Sequence, residues 1–293
     1  MAVHLHHTMT HKNISDPPCD LHFFDVADQA DVQRKLVLLR GAAPTNLMLV
    51  TDFDNTLTLR GHSVWETLRN ILPEDGRAAS DAERKTNLAK ERAGELTVEE
   101  VIRWSKHELN RYAQYGMTTD AIEQAAQHIQ LRRGARKLFD VCTDAGIESH
   151  ILSASVADAI EQIAKSKRLR ATQVHSNRLH TKNGVVIEWD ESGMLHTLNK
   201  HEHALRVILG GVAPEDDPRC KIVLGDNRHD ADMVAGDHAL RIRVRGKHGN
   251  TPEYLADSFS ESDVCKGFDL VLRTDSLLPV VTLLRWLLEE NDQ

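Results

Sequence analysis

Five short apolar-rich runs constrain this chain more than any other feature: NLMLV (46–50), ESHIL (148–152), CKIVL (220–224), LRIRV (240–244) and FDLVL (268–272). A strand with one wet face alternates apolar and polar residues. A continuous run needs cover on both faces, the situation of a parallel sheet between two layers of helix. Segments of helical periodicity lie between the runs: 134–145 closed by Gly146, 156–166, 201–209, and LLPVVTLLRWLLEEN near the end. Another, with Val32, Leu36 and Leu39 at helical spacing, ends at Gly41 ahead of the first run. Strand alternating with helix predicts an α/β fold with a doubly wound parallel sheet. Ligands of such sheets bind beyond the carboxyl ends of the strands, and Asp52, Ser153 and Asp226 all fall there.

The strand signal disappears between residues 60 and 132. LTVEEVIRWSKHELNRYAQYG opens with Thr97 and Glu100 at capping-box spacing and stops at Gly116, and TTDAIEQAAQHIQL repeats the theme. An insertion of this length is too long for a plain connection in an α/β core. We read 60–132 as a helical cap domain inserted after the first strand, and 21–59 with 133–293 as the core. Asn183-Gly184 marks a hairpin turn within 171–199, ahead of Lys200. Residues 1–20, with His4, His6, His7 and His11, read as a disordered tail.

Composition narrows the function. The 293 residues carry a net charge of −8, which argues against binding a nucleic acid polymer or an anionic membrane surface. No apolar run approaches the ~20 residues that span a bilayer. Cys19, Cys142, Cys220 and Cys265 show no zinc-ligand spacing and read as reduced thiols of a cytoplasmic protein. The expected assembly is a monomer or weak homodimer.

Four polar clusters carry the chemistry. Asp52 and Asp54 follow the first run, two residues apart, so both carboxylates can address one ligand from the same side; an exposed Asp-rich turn is the plainer alternative. Two close carboxylates repel and need a cation or a shared proton. Ser153 and Ala154 lie between a strand and a helix, where a hydroxyl and free amides hold an anion, unless Ser153 or Ser155 is an ordinary helix cap. Lys200 could neutralise a phosphate oxygen or be simply solvated. Asp226 and Asp230 follow the run at 220–224; with Asp52, Asp226 offers the hard oxygens that Mg²⁺ prefers, and Asp230 alone could cap a helix.

In order, these clusters resemble the four motifs of the haloacid dehalogenase-like phosphatases: DxDxT, Ser or Thr, Lys, then GDxxxD. The stretches LVTDFDNTLT, LTVEE, ILSASVADAIEQI, NGVVIEWDESGMLHTLNKHEHAL, KIVLGDNRHDADMVAG and FDLVL are similar to the cytosolic pyrimidine 5'-nucleotidase family, type III, over roughly residues 25 to 290. The resemblance implies a Rossmann-like core and a phosphomonoesterase acting on a nucleoside monophosphate, pyrimidine or 7-methylguanosine. It makes Asp52 the nucleophile and Asp54 the acid and base. It implies Mg²⁺ held by Asp52, Asp226 and the backbone carbonyl of Asp54, a phosphate gripped by Ser153, Ala154 and Lys200, and Asp230 orienting Lys200 or a metal-bound water. Glu91 falls where the family carries a base-reading glutamate, and Trp65 or Trp104 could stack on a base or pack within the cap. Ser155 stands where relatives commonly have glycine, and Asn227 and His229 where they have smaller residues. A phosphatase for another metabolite, such as phosphoserine, and a non-catalytic nucleotide-binding relative are the alternatives.

Overall fold

The computed structural model describes residues 19–93, 95–191, 193–234, 236–245 and 267–289. The histidine-rich start and Cys265 lie outside them; Cys142 and Cys220 are free and buried. A short strand, β1 (Phe24–Val26), leads into α1 (Gln29–Gly41), whose first turn is capped by the Asp28 side chain accepting from the amides of Ala30 and Asp31. β2 (Leu47–Thr51) follows, buried along its whole length. Four helices come next: α2 (Val64–Asn70), α3 (Glu74–Ala93), α4 (Val98–Gln114) and α5 (Thr119–Gln127). The chain then runs through α6 (Ala135–Ala145), β3 (Glu148–Val156), α7 (Ala157–Lys167) and β4 (Gln173–Asn177). A hairpin of β5 (Leu179–Lys182) and β6 (Val185–Trp189) precedes α8 (Lys200–Val207), β7 (Cys220–Gly225), β8 (Ala239–Val244), β9 (Leu270–Leu272) and α9 (Leu278–Leu288).

The main sheet has the order β1-β9-β8-β7-β2-β3-β4, parallel except for β1, which pairs antiparallel with β9. Every apolar run of the sequence becomes a strand of this sheet. β1 and β4 carry no such run because they are its two edges. Alternate residues of β2 enter different cores: Leu47 and Leu49 pack with Leu36, Phe139 and Leu284, and Met48 and Val50 with Leu152, Ala204 and Val223. That two-sided burial is why NLMLV shows no alternation. Because β1 precedes β2, the helical insertion follows the second strand in chain order rather than the first.

The two chain segments that lead into and out of the helices α2–α5 run together. The Leu59 amide donates to the Gln130 carbonyl at 2.8 Å and the Arg132 amide to the Leu57 carbonyl at 2.8 Å. The hairpin also docks on these helices. Its turn has Asn183 and Gly184 at φ +52° and +75°, as a two-residue primed turn requires. The Val186 amide donates to the Met117 carbonyl at 2.8 Å, and the Trp189 indole N–H to Asn110 Oδ1 at 2.9 Å.

Candidate active site

The chain order reverses between β2 and β7, which lie side by side, so the loops leaving their carboxyl ends open a crevice. The Asp52 amide donates to the Leu224 carbonyl at 2.9 Å, extending the ladder one residue beyond β2. Asp52 therefore starts from a fixed backbone. The turn after it closes through Asn55, which sits in the left-handed region at φ +59°, a conformation asparagine tolerates. The buried Arg132 guanidinium donates to the Asn55 carbonyl from Nε at 3.2 Å and Nη2 at 2.8 Å, and from Nη1 to Asp275 at 2.9 Å.

Asp52 is 4% exposed and Lys200 likewise 4%, so neither belongs to a solvated turn or face. Lys200 Nζ donates to Asp52 Oδ1 and to Asp230 Oδ1, each at 2.6 Å. The second oxygen of Asp230 accepts from the Asn227 amide at 2.9 Å. Thr56 donates from Oγ1 to Asp52 Oδ2 at 3.3 Å. Asp52, Asp226 and Asp230 each bring a carboxylate oxygen within 4.8 Å of the others. Three carboxylates around one lysine leave negative charge uncompensated in a buried place. The same hard-oxygen donor set suits a divalent cation: Asp230 has both oxygens held at 2.6 and 2.9 Å by Lys200 and the Asn227 amide, whereas Asp52 Oδ2 and Asp226 Oδ1 share only the longer bonds of the Thr56 hydroxyl, at 3.3 and 3.5 Å.

Titration reflects that imbalance. Burial pushes the Asp52 carboxyl up to about 6, against the pull of Lys200. Burial, reinforced by Asp230 and Asp52, holds Asp226 well above the usual carboxylate range. Burial alone would lower the Lys200 ammonium, but Asp230 and Asp52 outweigh it and keep the lysine above its ordinary value.

Asp54 keeps different company. Its Oδ1 accepts from the Val64 amide at 2.8 Å, in the first turn of α2, and its Oδ2 is buried with no hydrogen-bond partner among the described residues. Burial pushes this carboxyl up to about 7, opposed by the Val64 amide and helped by the charge on Asp52. The carboxylate of Asp54 is not part of the three-aspartate cluster, so only its backbone carbonyl remains available for the metal role expected from the sequence.

Ser153 and Ala154 lie near the end of β3, Ser153 2% exposed and Ala154 half-buried. The N-cap of α7 is Val156, without a side-chain cap bond, so neither Ser153 nor Ser155 serves as the helix cap. Ser155 Oγ is buried beside Asp54, whose carboxyl it helps to lower, although no hydrogen bond of good geometry joins the two side chains. Asn227 takes φ −103°, and His229 is not among the residues at positive φ, so neither position, where relatives have smaller residues, adopts a backbone that requires glycine. Gly225 is needed for another reason: a Cβ there would lie 2.1 Å from the Asp230 Cβ.

A cavity of ≈ 230 Å³ opens between the helical insertion and this site. Trp65 and Trp104 line it with Ala154 and Thr197, as do Arg69, Ser80 and Glu108. Trp65 also stacks on buried Tyr112, with ring centroids 6.3 Å apart, so it serves the packing of the insertion as well. Glu91 belongs to the last turns of α3, and its side chain lies outside the described residues. Sequence reasoning missed Arg132, Asn177 and Glu108. Glu108 is 5% exposed and accepts from Ser80 Oγ and Arg111 Nη1, each at 2.5 Å; its helical spacing from Trp104 was the available signal.

Residues 72–288 match the family model described as pyrimidine 5'-nucleotidase (UMPH-1). The 7-methylguanosine phosphate-specific 5'-nucleotidase of Gallus gallus is 26% identical over 273 residues, which is 84% of this chain and 90% of the relative. Among solved structures, cytosolic 5'-nucleotidase IIIB bound to cytidine matches with a TM-score of 0.72 at 21% identity, over 91% of this chain and 93% of that one. A substrate-bound phosphoserine phosphatase matches with a TM-score of 0.55 at 16% identity, over 80% and 96%. At these identities the two structures share the fold with this chain.

Proposed function

Because this chain belongs to the pyrimidine 5'-nucleotidase family, phosphoric monoester hydrolases of the haloacid dehalogenase-like type, we propose that it cleaves nucleoside 5'-monophosphates by phosphoryl transfer to Asp52. The observation that carries the reading is the division of labour between the two acids. Asp52 is fixed by the sheet and faces Lys200, and Asp54 turns to the Val64 amide.

In this reading an Asp52 carboxylate oxygen attacks phosphorus as the bond to the 5'-oxygen breaks. Asp54 gives its proton to that oxygen, and the nucleoside leaves. Asp54 then takes a proton from water, whose oxygen attacks the phosphorus of the aspartyl-phosphate and frees Asp52 and phosphate. Ser153, the Ala154 amide and Lys200 hold the phosphoryl oxygens as their charge grows, and Asp230 keeps Lys200 in place. Mg²⁺, held by the carboxylates of Asp52 and Asp226 and the Asp54 carbonyl, would offset the charge that phosphate brings to the carboxylates.

The helical insertion acts as the cap that chooses the leaving group. Trp104, with Trp65, offers ring faces to a base in the cavity, and a ring face favours a cationic base such as 7-methylguanine through its quadrupole. Pyrimidine and 7-methylguanosine monophosphates are the proposed substrates. The protein is proposed to work in the cytoplasm; none of its described helices is long and apolar enough to cross a membrane. A panel of monophosphates with Mg²⁺ tests the assignment. Cytidine, uridine or 7-methylguanosine monophosphate should give the highest kcat/KM. Phosphoserine turned over faster than every nucleotide would replace this reading with its metabolite-phosphatase rival.

A further inference from the structure

The pairing of β3 with β4 breaks where the site needs it to. Leu152 pairs with His175 and Val156 with Asn177, so β3 spends Ser153, Ala154 and Ser155 where β4 spends only Ser176. This bulge thrusts the Ser153–Ser155 loop out of the ladder, and backbone carbonyls that leave a ladder need other donors. One side chain supplies them. Asn177, 3% exposed, donates from Nδ2 to the Ala154 carbonyl at 2.8 Å and the Ser155 carbonyl at 3.1 Å. The same Nδ2 lies 2.8 Å from the Leu195 carbonyl, so its two hydrogens are shared among three acceptors, and Asn177 Oδ1 accepts from the Leu195 amide at 2.8 Å.

Leu195 begins the segment that delivers Lys200. From there the His196 amide donates to Asn199 Oδ1 at 2.8 Å, Asn199 Nδ2 donates back to the Met194 carbonyl at 2.9 Å, and Lys200 starts α8. Asn177 thus joins two segments that are remote in sequence and that line the same cavity, through Ala154 and Thr197. An asparagine serving only its own loop would need neither the bond to Ala154 nor the pair to Leu195.

We propose that Asn177 is a positioning residue for phosphoryl transfer, its carboxamide fixing the distance between the Ser153–Ser155 loop and the segment that carries Lys200. The proposal rests on the reading that Ser153, Ala154 and Lys200 grip the phosphoryl group. Donors set at a fixed spacing matter most when the phosphoryl oxygens carry the greatest charge, so loosening the spacing costs more in the transition state than in the ground state.

The test uses Asn177→Leu, which loses every bond at similar volume, and Asn177→Asp, which keeps the acceptor for the Leu195 amide. The second carries the same readout if the first does not fold. For the nucleotide that the wild type turns over best, kcat should fall about 10- to 100-fold with KM little changed. The inhibition constant for orthovanadate, which mimics five-coordinate phosphorus, should rise in parallel while that of the product nucleoside stays put. Vanadate and nucleoside affinities falling together, or neither falling, overturns the role of Asn177. Ser153→Ala separates the two levels of the argument. If it leaves vanadate binding intact, the phosphate-site reading fails and this inference with it. If it weakens vanadate and the Asn177 variants do not, Asn177 alone is wrongly assigned.

Discussion

Asp52 and Asp54 leave the same strand end and part within two residues, one towards Lys200 and the other towards the α2 amide of Val64. Their separation depends on small neighbours. Asp230 holds Lys200 from behind and packs on Gly225 so closely that a methyl group there has no room. Asp230 cannot swing aside, since Lys200 and the Asn227 amide fix both its oxygens. Gly225→Ala is therefore expected to destabilise the protein by about 1–3 kcal/mol through overpacking, and to lower kcat by displacing Lys200. Thermal unfolding with steady-state kinetics checks this, and a variant with wild-type Tm and kcat would show that Asp230 relaxes freely. Asp52 and Asp226 were legible in the sequence because each directly follows an apolar run that becomes a strand, and Lys200, at the start of α8, only because it falls in order between the other motifs. Asn177 and Arg132 were not, because each acts on backbone carbonyls remote in sequence, and no local pattern records such a partner.

At the element scale, two helices of the insertion, α4 and α5, were written plainly, whereas α2 and α3 were not singled out. The Thr97–Glu100 capping box forms with both bonds, Glu100 N–H to Thr97 Oγ1 at 3.2 Å and Thr97 N–H to Glu100 Oε2 at 3.1 Å. It starts α4, the helix that carries Trp104 and Glu108 to the cavity. Thr97→Ala should cost about 1 kcal/mol, read as a Tm lower by a few degrees, because one amide of the first turn loses its acceptor. An unchanged Tm would mean that the end of α4 is held by packing instead. The hairpin turn at Asn183-Gly184 was equally legible. Its docking on Met117 and Asn110 was not, since an antiparallel pair displays its own register but not the surface it will cover. The bulge in β3 escaped detection for the same reason: ILSASV reads as strand and helix start, and only the partner strand reveals the extra residues.

In the proposed reading the whole molecule divides its task between a sheet that holds the phosphoryl chemistry and an insertion that walls the cavity beside it. That division predicts separable losses. Trp104→Ala should raise KM for nucleotides about 10-fold, the scale of one lost base stack, and leave turnover of ribose 5-phosphate, which has no base, near wild type. Equal losses on both substrates would assign Trp104 to packing. The central claim is that Asp52 carries the phosphoryl group. The most direct measurement is acid quench of the Mg²⁺-loaded protein during turnover of a nucleotide with a radiolabelled phosphate, followed by peptide mapping, with Asp52→Asn alongside. The account predicts a base-labile phosphoryl group on the peptide containing Asp52, and neither label nor turnover in the folded variant. Label on another residue, or phosphate released at the wild-type rate by Asp52→Asn, would contradict it.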